Sequence, residues 1–441
     1  MTAVGQILET VRAANWVRRM GRITQCAGVA VESLGPDVEL GEICEVHARS
    51  GRSLLAEVVG FSNGRVLLMP HEDPVGIAIG SEVVATGHTA QIRAGDHLLG
   101  RVIDGFGKPL DGEALHGGGE LCALYPQAIN PLHRGLVREV LETGIRAVDS
   151  LLTIARGQRV GIFAGSGVGK STVLGMIARK IEADVSVIAL VGERGREVRA
   201  FVEDGLSPAA RARSVVVAAT SDQPALVRRR AAFLATALAE YFRNQGLHVC
   251  LMMDSITRVA MAQREIGLAG GELPTARGYT PSVFALLPRL LERGGARAQG
   301  GSLTALYTVL VEGDDLADPI SDSVRSILDG HIVLSRSIAQ RGRYPAIDIT
   351  QSVSRLTASL VSEADGTVIA DVIKLLATYE ASRDLIEVGA YRAGVNAAVD
   401  KAIRLMPQLE AFLAQRPDES GTRMAAMQRL RKLWEETRAA A

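Results

Sequence analysis

Cysteine is scarce in this sequence, which has four cysteines among its 441 residues. They show neither the short spacings of a zinc site nor the density of a disulfide framework. We interpret them as buried or idle thiols of a protein that stays in a reducing cytosol. They are Cys26, Cys44, Cys122 and Cys250.

A net charge is also missing, because 49 Lys and Arg residues balance 49 Asp and Glu residues. The chain as a whole therefore gives no electrostatic reason to bind nucleic acid or anionic lipid. No apolar run approaches the roughly 18 to 20 residues that span a bilayer. Glu9 and two arginines interrupt the apolar core that a signal peptide would need near the start. We expect a cytoplasmic protein whose membrane contact, if it has any, is peripheral.

Apolar residues are plentiful, at 47% of the chain, which is enough for a large core and about three domains. Short β-rich runs between glycine and proline turns predict a small barrel, with strands at 28–34, 54–61 and 65–70. Apolar strands then alternate with helical patterns, which predicts an α/β core with a parallel sheet covered by helices. The predicted boundaries are an amphipathic segment at 1–20, the barrel at 21–93, the core at 94–362 and a helical domain at 363–441.

The tail of the chain shows apolar residues at helical spacing, which predicts a helical C-terminal domain. Pro407 and Pro417 are expected to interrupt its helices. The first twenty residues are amphipathic as well. For them, packing on the barrel and docking on a partner both stay open.

A phosphate-binding loop is the strongest local motif, in the stretch QRVGIFAGSGVGKSTVLGMIAR at 158–179. An apolar strand ends at Phe163, a glycine-rich loop follows, and a helix starts near Lys170. Ala164 stands where the strict motif has glycine. Loop N–H groups can close around phosphates, the lysine can reach the β and γ phosphates, and a hydroxyl can reach Mg²⁺. The predicted nucleotide-binding residues are Gly165, Ser166, Gly167, Val168, Gly169, Lys170, Ser171 and Thr172.

Two acidic residues follow apolar strands that should end at the same edge of the sheet. Asp254 follows the strand 249–253 and can present a carboxylate to the Mg²⁺ shell, although alone it could equally be a turn residue or a helix cap. Glu193 follows the strand in DVSVIALVGERGREV and can orient and polarise an attacking water. Arg194 abuts this carboxylate and is a further catalytic candidate.

The stretch RYPAIDITQSVSR at 343–355 contains an arginine without an evident structural role. Its alternating pattern from Ala346 to Val353 predicts a short strand with one buried face. Such a strand does not need Arg355 at its end. A functional explanation for this arginine is therefore required.

Several long motifs resemble the family that contains the catalytic subunits of rotary ATP synthases and the type III secretion ATPases. The resemblance implies a RecA-like P-loop core, preceded by a small β-barrel and followed by a helical C-terminal domain. The stretch at 254–295 is most similar to the flagellar export branch, although GYTPSV departs from the expected proline pair before Ser282. The motifs are GRVIDGFGKPLDG (100–112), LETGIRAVDSLLTIARGQRVGIFAGSGVGKST (141–172), VGERGREV (191–198) and EGDDLADPISDSVRSILDGHIVLSR (312–336).

The resemblance implies roles for single residues around the loop. Lys170 and Ser171 correspond to the family's phosphate and Mg²⁺ residues, and Glu193 to its water-activating carboxylate. Asp254 corresponds to the metal-shell carboxylate, and Arg258 to an arginine one helical turn later. ATP and Mg²⁺ are the implied cofactors.

Two further positions carry over from the family. Tyr344 corresponds to the residue whose ring lies against adenine, and Arg355 to the arginine that reaches into the neighbouring subunit's site. An arginine supplied in trans can accelerate phosphoryl transfer by factors of about 10³ to 10⁵. Because one chain carries both Glu193 and Arg355, we predict a homo-oligomeric ring, for which the family implies six subunits.

The resemblance implies an ATP hydrolase that energises or primes protein export through the flagellar type III apparatus. It places the protein in the cytoplasm, peripheral at the inner face of the cell membrane. The implied partners are a stator-like regulator at the N-terminal segment, a central-stalk-like protein, the export gate, and export chaperones and substrates.

Other functions remain as alternatives: an ATPase of a virulence-type secretion system, a rotary synthase subunit, a non-catalytic nucleotide-binding subunit and an RNA ring helicase. Glu193 argues against a non-catalytic subunit. A helicase needs a basic face studded with aromatic residues, but the predicted barrel has Phe61 as its only clear aromatic, so no nucleic acid is expected. The run 228–230, three arginines, is typical of a solvated helix face, although the resemblance also allows a subunit contact.

Overall fold

A closed barrel of six antiparallel strands forms the first domain, in the order β1–β2–β5–β4–β3–β6, and confirms the predicted barrel. The computed structural model describes residues 18–27, 30–49, 51–127 and 129–439. Most of the predicted amphipathic segment at 1–20 lies outside these residues. The barrel strands are β1 (Met20–Ala27), β2 (Ala30–Leu34), β3 (Glu42–His47), β4 (Ser53–Ser62), β5 (Arg65–Pro70) and β6 (Glu82–Thr89).

The remaining strands belong to the connecting segment and the core. They are β7 (Gln91–Ala94), β8 (Val102–Ile103), β9 (Glu120–Ala123), β10 (Val140–Leu141), β11 (Ile154–Ala155), β12 (Arg159–Ala164), β13 (Val185–Val191), β14 (Ser214–Ala219), β15 (His248–Asp254), β16 (Gly295–Ala296), β17 (Ser302–Leu310), β18 (Gly330–Leu334) and β19 (Ile347–Ser354).

A mostly parallel sheet organises the core, in the order β19–β18–β12–β17–β15–β13–β14–β8. Strands β13 and β15 are buried along their whole length, as expected where helices cover both faces. Alternate residues of β13 face opposite sides. Val187 and Ala189 pack into one apolar cluster, and Ile188 and Leu190 into another. The predicted α/β core is therefore confirmed.

Strand β19 closes one edge of this sheet and pairs with β18 in the antiparallel direction. Ile347 lies opposite Leu334, at the carboxyl end of β18, and Ser354 lies opposite Gly330, at its amino end. This confirms the strand predicted at 346–353, displaced by one residue. The direction of β19 decides where the two ends of the stretch 343–355 lie relative to the loop after β12.

Helices cover the sheet and form the tail. In the described residues none is long and apolar enough to cross a membrane. They are α1 (Lys170–Lys180), α2 (Gly195–Ala200), α3 (Pro208–Ala212), α4 (Ala225–Asn244), α5 (Ile256–Ala269), α6 (Pro281–Leu291), α7 (Pro319–Ile327), α8 (Arg336–Gln340), α9 (Thr357–Leu360), α10 (Glu363–Glu387), α11 (Ala397–Leu413) and α12 (Arg423–Ala439).

The helical tail packs on the core instead of standing apart from it. Val372 of α10 and Leu409 of α11 belong to the apolar cluster that also contains the P-loop helix residue Leu174. The expected interruption at Pro407 is wrong, because this proline lies inside α11. An interior proline costs about 3 kcal/mol, and burial of neighbours such as Leu409 offsets that cost. Pro417 lies between α11 and α12, as expected.

The three arginines at 228–230 do not form a solvated face, so that interpretation is wrong. Arg229 pairs with Glu57 of the barrel at 2.7 Å, and Arg230 lies 3.8 Å from the same carboxylate. Arg228 pairs with Glu265 at 2.6 Å. The sequence could not show this contact because Glu57 is far away in the chain. Helix α4 thus connects the barrel to the core through buried ion pairs.

Candidate functional site

The loop between β12 and α1 has the backbone that a phosphate-binding loop requires. Gly167 and Gly169 have φ angles of 80° and 93°, which residues with a Cβ rarely adopt. A Cβ at Gly165 would overlap with the carboxylate of Asp314. Val168 is buried and anchors the loop. The loop N–H groups and the start of α1 therefore form a site suited to an anion.

Two predicted catalytic residues, Lys170 and Glu193, and the predicted metal ligand Asp254 meet at the mouth of this loop. The Nζ atom of Lys170 donates to Oε1 of Glu193 at 3.0 Å and to Oδ1 of Asp254 at 2.5 Å. Asp254 is the last residue of β15 and Glu193 follows β13. Both strands end at the sheet edge that carries the loop, so the fold itself delivers these carboxylates.

Burial and charge together set the ionisation of this cluster. Burial acts to lower the pKa of Lys170, but the charges of Asp254 and Glu193 outweigh it and raise the pKa. Burial raises the pKa of Asp254, so this carboxylate needs a cation against it to stay ionised. Lys170 is one such cation. A metal ion held by Asp254 would free the lysine for a phosphate group.

The hydroxyl residues of α1 face the same space. Ser171 and Thr172 are exposed and line a cavity of about 370 Å³ together with Glu193 and Asp254. Hydroxyl and carboxylate oxygens are ligands that Mg²⁺ prefers. The residues present therefore fit a Mg²⁺–nucleotide complex, with Ser171 and Asp254 on the metal side.

The other two predicted arginines near Glu193 differ in their placement. A Cβ on Gly192 would lie 2.7 Å from Cβ of Arg258, so Arg258 packs directly behind the backbone that carries Glu193. Its Nε is buried and has no hydrogen-bond partner among the described residues. The guanidinium of Arg194 lies 3.7 Å from Glu197, with a side chain that is 70% exposed. The structure does not bring Arg194 to the carboxylates.

Tyr344 and Arg355 flank the two ends of the edge strand β19. Tyr344 lies on the side of the sheet where the parallel strands end, and Arg355 lies on the side where they begin. The ring of Tyr344 lies 3.7 Å from an ideal Cβ on Gly169, which places it beside the chain's own loop. Arg355 follows the end of β19 at the amino edge, where it is exposed and donates to the C=O of Arg325 at 3.3 Å. Seven residue steps of strand separate the two ends by about 23 Å. Arg355 therefore does not reach its own phosphate-binding loop.

One contributor was missing from the sequence prediction. Thr308, in the middle of the buried strand β17, donates its hydroxyl to Oδ1 of Asp254 at 2.6 Å. It is fully buried. Thr308 is one of several hydroxyl residues in this strand, so its residue type was no specific signal, and its partner became evident only from the parallel pairing of β15 with β17.

The sequence matches described protein families along most of its length. Residues 23–87 match the beta-barrel domain of the ATP synthase alpha/beta family, and residues 144–354 match its nucleotide-binding domain. Residues 361–432 match the C-terminal domain of the type III secretion ATPase EscN.

Curated relatives extend over nearly the whole chain. The flagellum-specific ATP synthase of Bacillus subtilis is 51% identical over 415 residues, which cover 94% of each protein. The type 3 secretion system ATPase of Xanthomonas euvesicatoria is 48% identical over 403 residues, which cover 91% of each.

Solved structures show the same architecture. The assembled ATPase EscN from the type III secretion system of enteropathogenic E. coli is 43% identical, with a TM-score of 0.89 over 94% of this chain and 99% of that one. EscN in complex with its central stalk EscO is similar with a TM-score of 0.85 over the same shares of the two chains.

Proposed function

The chain belongs to the ATP synthase alpha/beta family, in its group of flagellum-specific and type III secretion ATPases, and from this premise we propose that it hydrolyses ATP to energise or prime protein export through a flagellar type III apparatus. The products are ADP and phosphate. The observation that carries this function is the contact of Lys170 with both Glu193 and Asp254 at the mouth of the P-loop.

Each residue of the cluster has a distinct task in hydrolysis. The loop N–H groups and Lys170 bind the phosphates, and Ser171 and Asp254 would hold Mg²⁺, which would supply neutralisation of the phosphate charge. Glu193 orients the attacking water and accepts its proton. Lys170 contacts both carboxylates, so its ammonium lies where the metal-shell and water-activating carboxylates converge. Arg258 supports the backbone that carries Glu193.

The remaining positive charge comes from a neighbouring subunit. Hydrolysis spreads negative charge over the γ-phosphoryl oxygens, and Arg355 lies too far from its own loop to stabilise it. We assign Arg355 to the site of the next subunit in a homohexameric ring. Tyr344 serves the adenine of its own subunit, since its ring lies beside Gly169.

Partners and location follow from the same group of proteins. The assembled form of EscN and its complex with a central stalk support an oligomer that encloses a stalk-like protein. We extend this to an export gate, to export chaperones and substrates, and to a stator-like regulator at the N-terminal segment. The protein would act in the cytoplasm, peripheral at the inner face of the membrane.

The mechanism is tested by Glu193→Gln, which keeps the size of the side chain and removes its basicity. Turnover should fall to background while ATP still binds, as measured by phosphate release and by fluorescent-nucleotide titration. The matched control is Glu203→Gln, because Glu203 is an exposed carboxylate that pairs only with Arg199 in the described residues. An active Glu193→Gln protein would contradict the assignment of the base.

A virulence-type secretion ATPase is the second candidate, and the 48% identity to the Xanthomonas ATPase favours it almost as strongly. Deleting the gene in its own organism separates the two functions. Loss of flagellar filaments and swimming supports the flagellar apparatus. Normal swimming with loss of secreted effector proteins would overturn it.

A further inference from the structure

Gln415, in the segment after α11, is hydrogen-bonded to two separate parts of the core. Its backbone N–H donates to the C=O of Tyr344 at 2.9 Å. Its side-chain Nε2 donates to the C=O of Gly144 at 2.9 Å, and its Oε1 accepts from the N–H of Arg146 at 2.8 Å. The residue is 5% exposed. Because these polar atoms are buried, removing the amide leaves core backbone groups unpaired.

Neighbouring contacts reinforce the same attachment. The guanidinium of Arg146 donates to the C=O groups of Phe412 and Ala414, each at 2.9 Å. Arg343, next to Tyr344, lies 3.2 Å from the carboxylate of Glu410 on α11. Helix α11 and the segment after it therefore contact both Arg343 and Tyr344.

The ring of Tyr344 depends on this attachment for its position. The ring lies beside Gly169, but the residue is 48% exposed, so much of its surface is open to solvent. Among the described residues its hydroxyl has no hydrogen-bond partner. The backbone of Tyr344 must then set where the ring lies, and Gln415 holds that backbone.

We propose that Gln415 is a positioning residue for nucleotide binding, whose side chain anchors the segment after α11 so that its N–H keeps the ring of Tyr344 against the P-loop. This inference rests on the proposed function, in which the ring meets adenine. It makes the helical tail a structural part of the nucleotide site. Neither the spacing of the motif residues nor their type indicated it.

The experiment measures steady-state ATP hydrolysis by Gln415→Ala. Its KM for ATP should rise about tenfold, with kcat changed by less than about twofold, because binding is weakened equally in the ground state and the transition state. Inhibition by tripolyphosphate should keep its wild-type constant, since this probe needs only the P-loop. Gln408→Ala is the matched control: Gln408 is an exposed glutamine of α11, and its removal should leave KM unchanged.

A double-mutant cycle tests whether the effect passes through the ring. Tyr344→Ala alone should raise KM, and adding Gln415→Ala to it should raise KM by less than about twofold more. Fully additive effects would overturn the positioning role, as would a wild-type KM in Gln415→Ala. Equal weakening of ATP binding and tripolyphosphate binding would also overturn the positioning role, because such a result would indicate a general loss of the nucleotide site.

Failure of the proposed function would look different. If the wild-type protein released no phosphate from ATP, the function itself would be refuted. Tyr344→Ala with a normal KM in an active enzyme would refute the ring assignment and the role of Gln415 together. Thermal melting of each variant, with a transition as cooperative as that of the wild type, shows that the compared proteins are folded.

Discussion

Arg355 gives the sharpest prediction, because in the proposed mechanism the activity of each site is shared between two chains. We consider two single variants, Arg355→Ala and Glu193→Gln, each purified separately. On its own, each should form rings in which every site is defective. Loss of an arginine in trans lowers the rate by about 10³ to 10⁵, and loss of the base by about 10² to 10⁴. Arg355→Ala should keep ATP binding, because phosphate contacts in its own loop are untouched.

Mixing the two variants should restore activity. A site is intact when its P-loop comes from an Arg355→Ala subunit, which still has Glu193, and its neighbour is a Glu193→Gln subunit, which still has Arg355. In rings assembled at random from equal amounts, about half of the loops belong to subunits with Glu193, and about half of the neighbouring subunits carry Arg355. About a quarter of the sites are therefore complete. The mixture should therefore reach about 25% of wild-type activity, which is at least about 25-fold above either variant alone.

The assay is phosphate release at protein concentrations that assemble the ring, with the two variants mixed before assembly. Arg52→Ala is the control for loss of an exposed arginine, since Arg52 lies on the barrel and pairs with Glu72. It should stay active alone, and its equal mixture with Arg355→Ala should reach only the average of the two separate activities, because about half of the sites then have a neighbour that carries Arg355. A mixture of Arg355→Ala with Glu193→Gln that is no more active than the average of its two components would refute the shared site.

Three other predictions follow from buried polar contacts. Thr308→Val removes the hydroxyl that positions Asp254 and should lower kcat about tenfold, with unchanged thermal stability within about 1 kcal/mol, as measured by phosphate release and melting. Glu57→Ala leaves Arg229 buried without its barrel carboxylate and should lower the free energy of unfolding, measured by urea titration, by about 3 to 5 kcal/mol. The control Glu72→Ala, at an exposed ion pair, should lower it by less than about 1 kcal/mol. Burial lowers the pKa of His71 to about 3, below its value near 6.5 in the unfolded chain. Between pH 6.5 and 3 the unfolded state therefore binds more protons than the folded state. The free energy of unfolding falls as the pH drops through this window. His71→Phe should lose less stability than the wild type between pH 7 and pH 5, and an equal loss would contradict the burial of a neutral imidazole.

Local patterns were sufficient to predict the elements that carry the nucleotide site. The apolar strand before Ala164 and the glycines after it specify a strand, a loop and a helix start without reference to the rest of the chain. Glu193 and Asp254 also follow strands of apolar residues. Since parallel strands end at one edge, their convergence on Lys170 could be predicted from sequence alone.

Contacts between distant segments could not be predicted in this way. Arg229 and Arg230 look like surface residues until Glu57, from the barrel, is brought against them. Thr308 has no visible role until β17 lies beside β15. Pro407 should break a helix by its own chemistry, but burial of its neighbours keeps α11 continuous. In each case, packing between segments far apart in sequence decides the outcome.

The direction of β19 decides whether one chain could be complete by itself. In a parallel strand, Arg355 would follow the carboxyl end of the sheet, at its own P-loop, and Tyr344 would lie at the far edge. The antiparallel pairing with β18 reverses both positions. Tyr344 therefore lies beside its own Gly169, and Arg355 lies about 23 Å away, exposed on the side of the sheet where the proposed ring would bring the next subunit. In the proposed ring, a sequence stretch of thirteen residues, 343–355, would thus contribute to two different nucleotide sites because of the orientation of a single edge strand.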